Sequence, residues 1–127
     1  MNIVDSSGWL EYFAEGVNVN FFAPVIESKD RLLVPVITLY EVFKRVLQQR
    51  SEEEALQSVA IMQEGQVIDL NPEISINAAK ISFDLKLPMA DSIILATSNL
   101  YHATLWTQDG DFKNIQGVKY IEKKPAS

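Results

Sequence analysis

Four acidic side chains fall where short apolar runs give way to helix-like stretches: Asp5 after Asn2-Ile3-Val4, Glu41 after Leu33-Val34-Pro35-Val36-Ile37, Asp91 after Leu87-Pro88-Met89-Ala90, and Asp109 after Leu105-Trp106-Thr107. In an open α/β sheet the carboxyl ends of the strands meet along one crevice, so acids placed there converge although they are far apart in the chain. Two carboxylates about 4 Å apart repel by roughly 4 kcal/mol at an effective dielectric near 20. A converged set must therefore share protons or bind cations. Oxygen donors alone suit Mg²⁺ or Mn²⁺, which favour octahedral coordination and retain several waters. Such an ion lowers the pKa of a water, aligns it with a phosphodiester and steadies the leaving oxygen, so no protein nucleophile is needed. Hydroxyls accompany the acids: Ser6 and Ser7 follow Asp5, Ser92 follows Asp91, and Thr107 precedes Asp109. Hydroxyls at such places orient carboxylates or water around a metal.

Each acid also has an ordinary structural reading. Asp5 is placed to be a helix N-cap. Thr38-Leu39-Tyr40-Glu41 fits a capping box in which the glutamate reaches back to a backbone N–H. Asp91 lies in a first helical turn, where the dipole favours an anion. Asp109-Gly110 is a common turn pair. What four separate caps explain poorly is an acid at each of these junctions in otherwise apolar surroundings.

Composition narrows the chemistry. The 127-residue chain reads as one domain by length, residues 1–127, with 123–127 as a frayed tail. Apolar residues make up 47% and charged residues 22%, a globular balance. Without cysteine there is no disulfide, thiolate metal site or thiol catalysis, and His102 is the only histidine, which excludes imidazole-rich metal sites. The start, Met1-Asn2-Ile3-Val4-Asp5, has no secretory pattern, and no apolar run is long enough to span a membrane, so the expected location is the cytoplasm. A net charge of −6 argues against nonspecific adhesion to nucleic acid, though basic residues can still cluster locally.

Strand and helix patterns alternate. Strands are expected at Asn2 to Asp5, Arg31 to Val34, Gln66 to Leu70, Thr104 to Thr107 and Lys119 to Glu122. Between them, helices are expected from Ser6 to a stop at Gly16, over Asn18 to Ser28 despite Pro24, and from Thr38 to about Gln49. Three more follow: Ser51 to Met62 with a capping box, one opened by Asn71 and Pro72, and one after Pro88 that is apolar or small almost all round and so reads as buried. This alternation indicates an α/β fold with parallel pairing and helices on both faces.

Asp5-Ser6-Ser7, Thr38-Leu39-Tyr40-Glu41, the run Pro88 to Thr97 and Thr107-Gln108-Asp109-Gly110-Asp111-Phe112 together resemble the PIN domain, and in their order the VapC-type toxin ribonucleases. The last two motifs are the more specific, and the resemblance runs from Asn2 to about Glu122. It implies a three-layer α/β/α fold with a mainly parallel sheet of about five strands. It also implies a Mg²⁺- or Mn²⁺-dependent endoribonuclease that leaves a 5′-phosphate and a 3′-hydroxyl. The family's acidic positions fall on Asp5, Glu41, Asp91 and Asp109, with Asp5, Asp91 and Asp109 expected to hold metal and Glu41 to orient the attacking water or a second ion. Ser7 and Thr107 match positions that help hold the metal or its waters. Asp111 matches either an outer acid or a turn residue that seats Phe112. Gly110 departs from the pattern, standing where many relatives carry a basic residue.

A cognate small antitoxin and a homodimer are the partners the resemblance implies, beside the RNA substrate. The aromatics Trp9, Tyr12, Phe13, Phe21 and Phe22 lie in the region that binds antitoxin in such proteins. For RNA contact the candidates are Lys44 and Arg45, the latter equally placed for a helical ion pair with Glu41. Trp106, Met62 and Met89 read as packing residues, and His102 as a helix C-terminal residue favoured by the dipole. Two other classes stay open: another Mg²⁺-dependent phosphoryl-transfer or receiver domain, and a catalytically silent binding module of the same fold.

Overall fold

The computed structural model describes residues 1–125, and its strands and helices alternate as the periodicity requires. In chain order they are β1 (Asn2–Val4), α1 (Ser6–Phe13), α2 (Val19–Glu27), β2 (Leu32–Pro35), α3 (Val36–Gln49), α4 (Glu52–Met62), β3 (Gln66–Ile68), α5 (Pro72–Leu85), α6 (Met89–Leu100), β4 (Thr104–Thr107) and β5 (Val118–Tyr120). The sheet has five strands in the order β3-β2-β1-β4-β5, and every pairing is parallel. The succession of strands reverses direction between β1 and β4, which makes their carboxyl ends the place where a crevice opens. A receiver domain has the order 2-1-3-4-5, so this topology overturns the receiver-like alternative.

Side chains alternate across a strand, and here the alternation builds two cores. Ile3, Leu33 and Leu105 point to one face, where they pack with Ile74 and Ala78 of α5, Ile93 to Ala96 of α6, and Phe112. Val4, Leu32 and Val34 point to the other, against Trp9, Phe22, Val25, Ile26, Val42, Val46, Ala55 and Met62 from α1 to α4. Helices therefore cover both faces, the three-layer arrangement expected.

Local signals set the helix boundaries. Ser51 Oγ accepts the Glu54 backbone N–H at 3.1 Å, and Asn71 Oδ1 accepts that of Ile74 at 2.9 Å, each closing a helix start. α3 departs from expectation. It begins at Val36, with Pro35 as its cap residue, and the Thr38 hydroxyl donates back to the Pro35 carbonyl at 2.7 Å. The expected capping box at Thr38 is not formed, because the fixed φ of Pro35, −59°, starts the helix sooner and leaves Glu41 in the second turn. Strand bounds also shift: β1 ends at Val4 rather than Asp5, β2 runs from Leu32 to Pro35 rather than Arg31 to Val34, β3 ends at Ile68 rather than Leu70, and β5 runs from Val118 to Tyr120 rather than Lys119 to Glu122.

α1 lies close on the sheet because of Gly8. A Cβ there would stand 2.6 Å from both Phe22 Cε1 and Val4 Cγ1. α6 is buried from Asp91 to Ser98, and its hydroxyls are satisfied by the backbone: Ser92 Oγ on the Pro88 carbonyl at 2.9 Å, Thr97 Oγ1 on Ile93 at 2.8 Å and Ser98 Oγ on Ala103 at 2.8 Å. Met62 is fully buried, but Met89 is 73% exposed at the start of α6 and is not the packing residue expected. Trp106 is half-buried, its Nε1 donating to Asn2 Oδ1 at 2.9 Å and its ring packed against Phe21. Among the described residues no helix is long and apolar enough to cross a membrane.

Candidate metal centre

Register brings the first acid to the last strand. Val4 pairs with Trp106, so Asp5, just past β1, comes beside Thr107, the last residue of β4. Asp5 is 2% exposed, and its backbone N–H donates to the Trp106 carbonyl at 2.9 Å. Its side chain makes no capping bond to α1. Ser7 Oγ and Thr107 Oγ1 instead donate to Asp5 Oδ2 at 2.7 and 2.9 Å, and among the described residues no hydrogen bond reaches Oδ1. Burial pushes the Asp5 carboxyl up to about 6, against the two hydroxyl bonds that hold it down, with Asp109 and Glu41 adding repulsion.

Asp91, in the first turn of α6, is 8% exposed and accepts no hydrogen bond from any described residue. Its carboxyl is raised to about 7, first by burial and then by the charges of Asp5, Asp109, Glu41 and Asp111. Carboxylate oxygens of Asp91, Asp109 and Asp111 lie within 4.8 Å of one another. Asp109 Oδ1 accepts the Asp111 N–H at 3.0 Å, which opens a single 3₁₀ turn over Gly110–Phe112. The Asp111 carboxylate lies beside those of Asp91 and Asp109, and the turn it belongs to seats Phe112, fully buried, in the core. Glu41, on α3, accepts Ser6 Oγ at 2.6 Å.

Asp5, Glu41, Asp91 and Asp109 line one crevice of about 850 Å³, which also takes in Lys44 and Arg45. Arg45 makes no ion pair with Glu41: the ion pairs among the described residues are Lys29 with Glu64 and Arg50 with Glu54. Gly110 has nothing within 4 Å of where a Cβ would stand, so crowding is not why a side chain is missing there. His102 is exposed and does not line the crevice. Of the five early aromatics, Trp9 and Phe22 are buried in the core, whereas Tyr12, Phe13 and Phe21 are half-buried. The first two are therefore removed from any interface.

A family model described as the PIN domain matches residues 3–118. The chain belongs to the PIN domain family. Solved structures of similar shape include a toxin–antitoxin complex from Klebsiella pneumoniae, at TM-score 0.76 and 21% identity over 94% of this chain and 96% of that one. A second is VapC20 of Mycobacterium tuberculosis, a toxin that cleaves the sarcin–ricin loop, at TM-score 0.76 and 16% identity over 98% and 100%. A third is DNA-bound VapBC from Salmonella typhimurium, at TM-score 0.73 and 17% identity over 96% and 98%. No curated protein matches the sequence. At these identities the likeness is one of fold.

Within this PIN domain the acids offer oxygen donors alone, those of Asp91, Asp109 and Asp111 grouped within 4.8 Å and those of Asp5 and Glu41 outside that group on the same crevice, a chemistry that suits a hard divalent cation such as Mg²⁺ or Mn²⁺. Sequence reasoning passed over three polar residues beside it. Gln108 is 4% exposed and donates its backbone N–H to Ser7 Oγ at 3.3 Å, and Asn18, also 4% exposed, donates to Gln108 Oε1 at 2.9 Å. Glu11 accepts the Asn18 N–H at 2.7 Å. Burial of an amide pair between remote segments has no signature in local spacing.

Proposed function

We propose that this PIN domain is a Mg²⁺- or Mn²⁺-dependent endoribonuclease, the toxin of a toxin–antitoxin pair. The observation that carries the reading is Asp91: a carboxylate with no hydrogen-bond donor, opening on the crevice from an otherwise buried residue, with oxygens of Asp109 and Asp111 within 4.8 Å. A group so placed is costly unless a cation shares it. Asp5 through Oδ1, Asp91 and Asp109 would hold the ion, which when bound supplies an activated water and neutralises charge on the phosphodiester. Glu41 keeps one oxygen on Ser6 and offers the other to orient the attacking water and take its proton. Ser7 and Thr107 fix the Asp5 carboxylate, Asp111, whose carboxylate lies within 4.8 Å of those of Asp91 and Asp109, serves as the outer acid beside the ion, and Lys44 and Arg45 meet the phosphates of the RNA.

The antitoxin partner is supported by a second, apolar groove of about 370 Å³ between α3 and α4, lined by Leu39, Tyr40, Phe43, Leu47 and Val59. It shares Tyr40 and Lys44 with the acidic crevice, so a helix seated there would reach the mouth of the site. A second copy of the chain is the partner in the same reading for the exposed apolar face of α5, where Ile76 is 64% and Phe83 83% exposed.

Cleavage of RNA in Mn²⁺ or Mg²⁺ tests the activity. Asp5→Asn and Asp91→Asn are expected to lower the rate by about 100-fold or more, as loss of one electrostatic contact to a charged transition state does. Undiminished cleavage by both variants rejects this site.

A further inference from the structure

The segment after β5 has no regular structure, yet a buried amide ties it to the acids. Asn18 Nδ2 donates to Gln108 Oε1 at 2.9 Å and to the Glu122 carbonyl at 3.0 Å. Gln108 is in turn bonded to Ser7, whose hydroxyl donates to Asp5. The Ile121 N–H adds a bond to the Thr107 carbonyl at 3.0 Å. The chain is thereby fixed at Ile121 and Glu122, immediately before Lys123. Lys123, the first residue of the expected tail 123–127, of which 126 and 127 lie outside the described residues, forms part of the wall of the crevice that Asp5, Asp91 and Asp109 line. It is exposed, and among the described residues it forms no ion pair with any carboxylate.

An unpaired ammonium on the wall of an acidic crevice has a use if a polyanion enters. The acids repel phosphates except where a cation neutralises them, so a strand that reaches the centre needs positive charge at the flanks. Lys44 and Arg45 provide it from α3, and Lys123 provides it from a separate segment. We propose that Lys123 binds a backbone phosphate of the RNA strand, and that Asn18 is the positioning residue that holds Lys123 at the crevice. The proposal rests on the reading of this crevice as a ribonuclease site.

The test uses the full chain and a fluorescently labelled single-stranded RNA oligomer, with binding followed by anisotropy in Ca²⁺ and cleavage followed in Mn²⁺. Lys123→Ala is expected to weaken binding about threefold or more. It should also flatten the slope of log affinity against log salt by about 0.7, the share of one phosphate contact on a single strand. In cleavage the loss should appear in KM, with kcat within about twofold, and Lys123→Arg should retain wild-type values. Asn18→Ala, or the isosteric Asn18→Asp should the alanine variant not fold, is expected to reproduce the shallower slope. Wild-type affinity and slope in Lys123→Ala overturn the phosphate contact, and a wild-type slope in the Asn18 variant overturns its positioning role. If the unmutated protein binds RNA but does not cleave it, the ribonuclease reading falls while this one is still decided by the slopes. A protein that neither binds nor cleaves sinks both.

Discussion

The Thr107 hydroxyl donates to Asp5 Oδ2 at 2.9 Å and accepts the Asp109 N–H at 2.9 Å, so one side chain fixes acids that leave two different strands. This bond is one of two that hold the Asp5 carboxyl down against burial. Thr107→Val removes it while keeping the shape, and the Asp5 carboxyl, already near 6, should rise further. The acid limb of the pH–rate profile for RNA cleavage is therefore expected to move to higher pH in the variant; a limb in the wild-type position would mean that Asp5 does not govern it. At this scale the sequence marked the acids but misjudged one partner. Thr38 and Glu41 have capping-box spacing, yet Thr38 bonds Pro35 and Glu41 bonds Ser6, thirty-five residues away. Nothing in the local spacing distinguishes these outcomes, because the Ser6 contact exists only once α1 lies beside α3.

Among the elements, α1 and α6 decide how close the acids come. α6 is buried along most of its length without leaving its hydroxyls unsatisfied, since each turns onto a backbone carbonyl. Asp91, in the same helix, accepts no hydrogen bond from a described residue and turns to the crevice instead. α1 is drawn against β1 and α2 by Gly8, where a Cβ would stand 2.6 Å from Phe22 and Val4 side chains. Gly8→Ala is expected to destabilise the fold by about 1–3 kcal/mol through overpacking, measured by denaturant titration. It should also impair Mn²⁺ binding, because α1 carries Ser6 and Ser7; unchanged stability would show that α1 shifts freely. Periodicity identified all five strands and six helices, and missed chiefly at their edges, where Pro35 and the short parallel pairings outweigh local preference.

For the whole molecule, the cost of gathering acids should appear as a dependence of stability on pH. The folded-state pKa values of Asp5 and Asp91, about 6 and about 7, lie above the unfolded value of 3.8, so the folded protein binds more protons between those limits. Their contribution to stability is accordingly greatest below about pH 4 and is lost as the pH climbs to about 7. For Asp5 this amounts to roughly 1–3 kcal/mol, from about 1.4 kcal/mol per pKa unit with allowance for screening. A divalent cation reverses the trend, because it competes with the protons. The rise in melting temperature on adding Mn²⁺ is expected to grow from pH 5 to pH 7.5 and to vanish with a chelator. Asp5→Asn should be more stable than the parent without metal at pH 7.5, and should gain less from Mn²⁺. A metal effect independent of pH would contradict the assignment of these carboxylates as ligands.

By itself the sequence determined the alternation of strands and helices, the lack of thiol chemistry and of imidazole-rich metal sites, and the placing of acids at the ends of apolar runs. These are local properties, set by the period of the hydrophobic pattern and by which side chains are present. Only the tertiary structure decided that the strand succession reverses between β1 and β4, that Asp91 lacks a donor, and that Asn18 ties Glu122 to Gln108. Those facts depend on contacts between segments as much as 104 residues apart, which packing and register create and which no local spacing encodes.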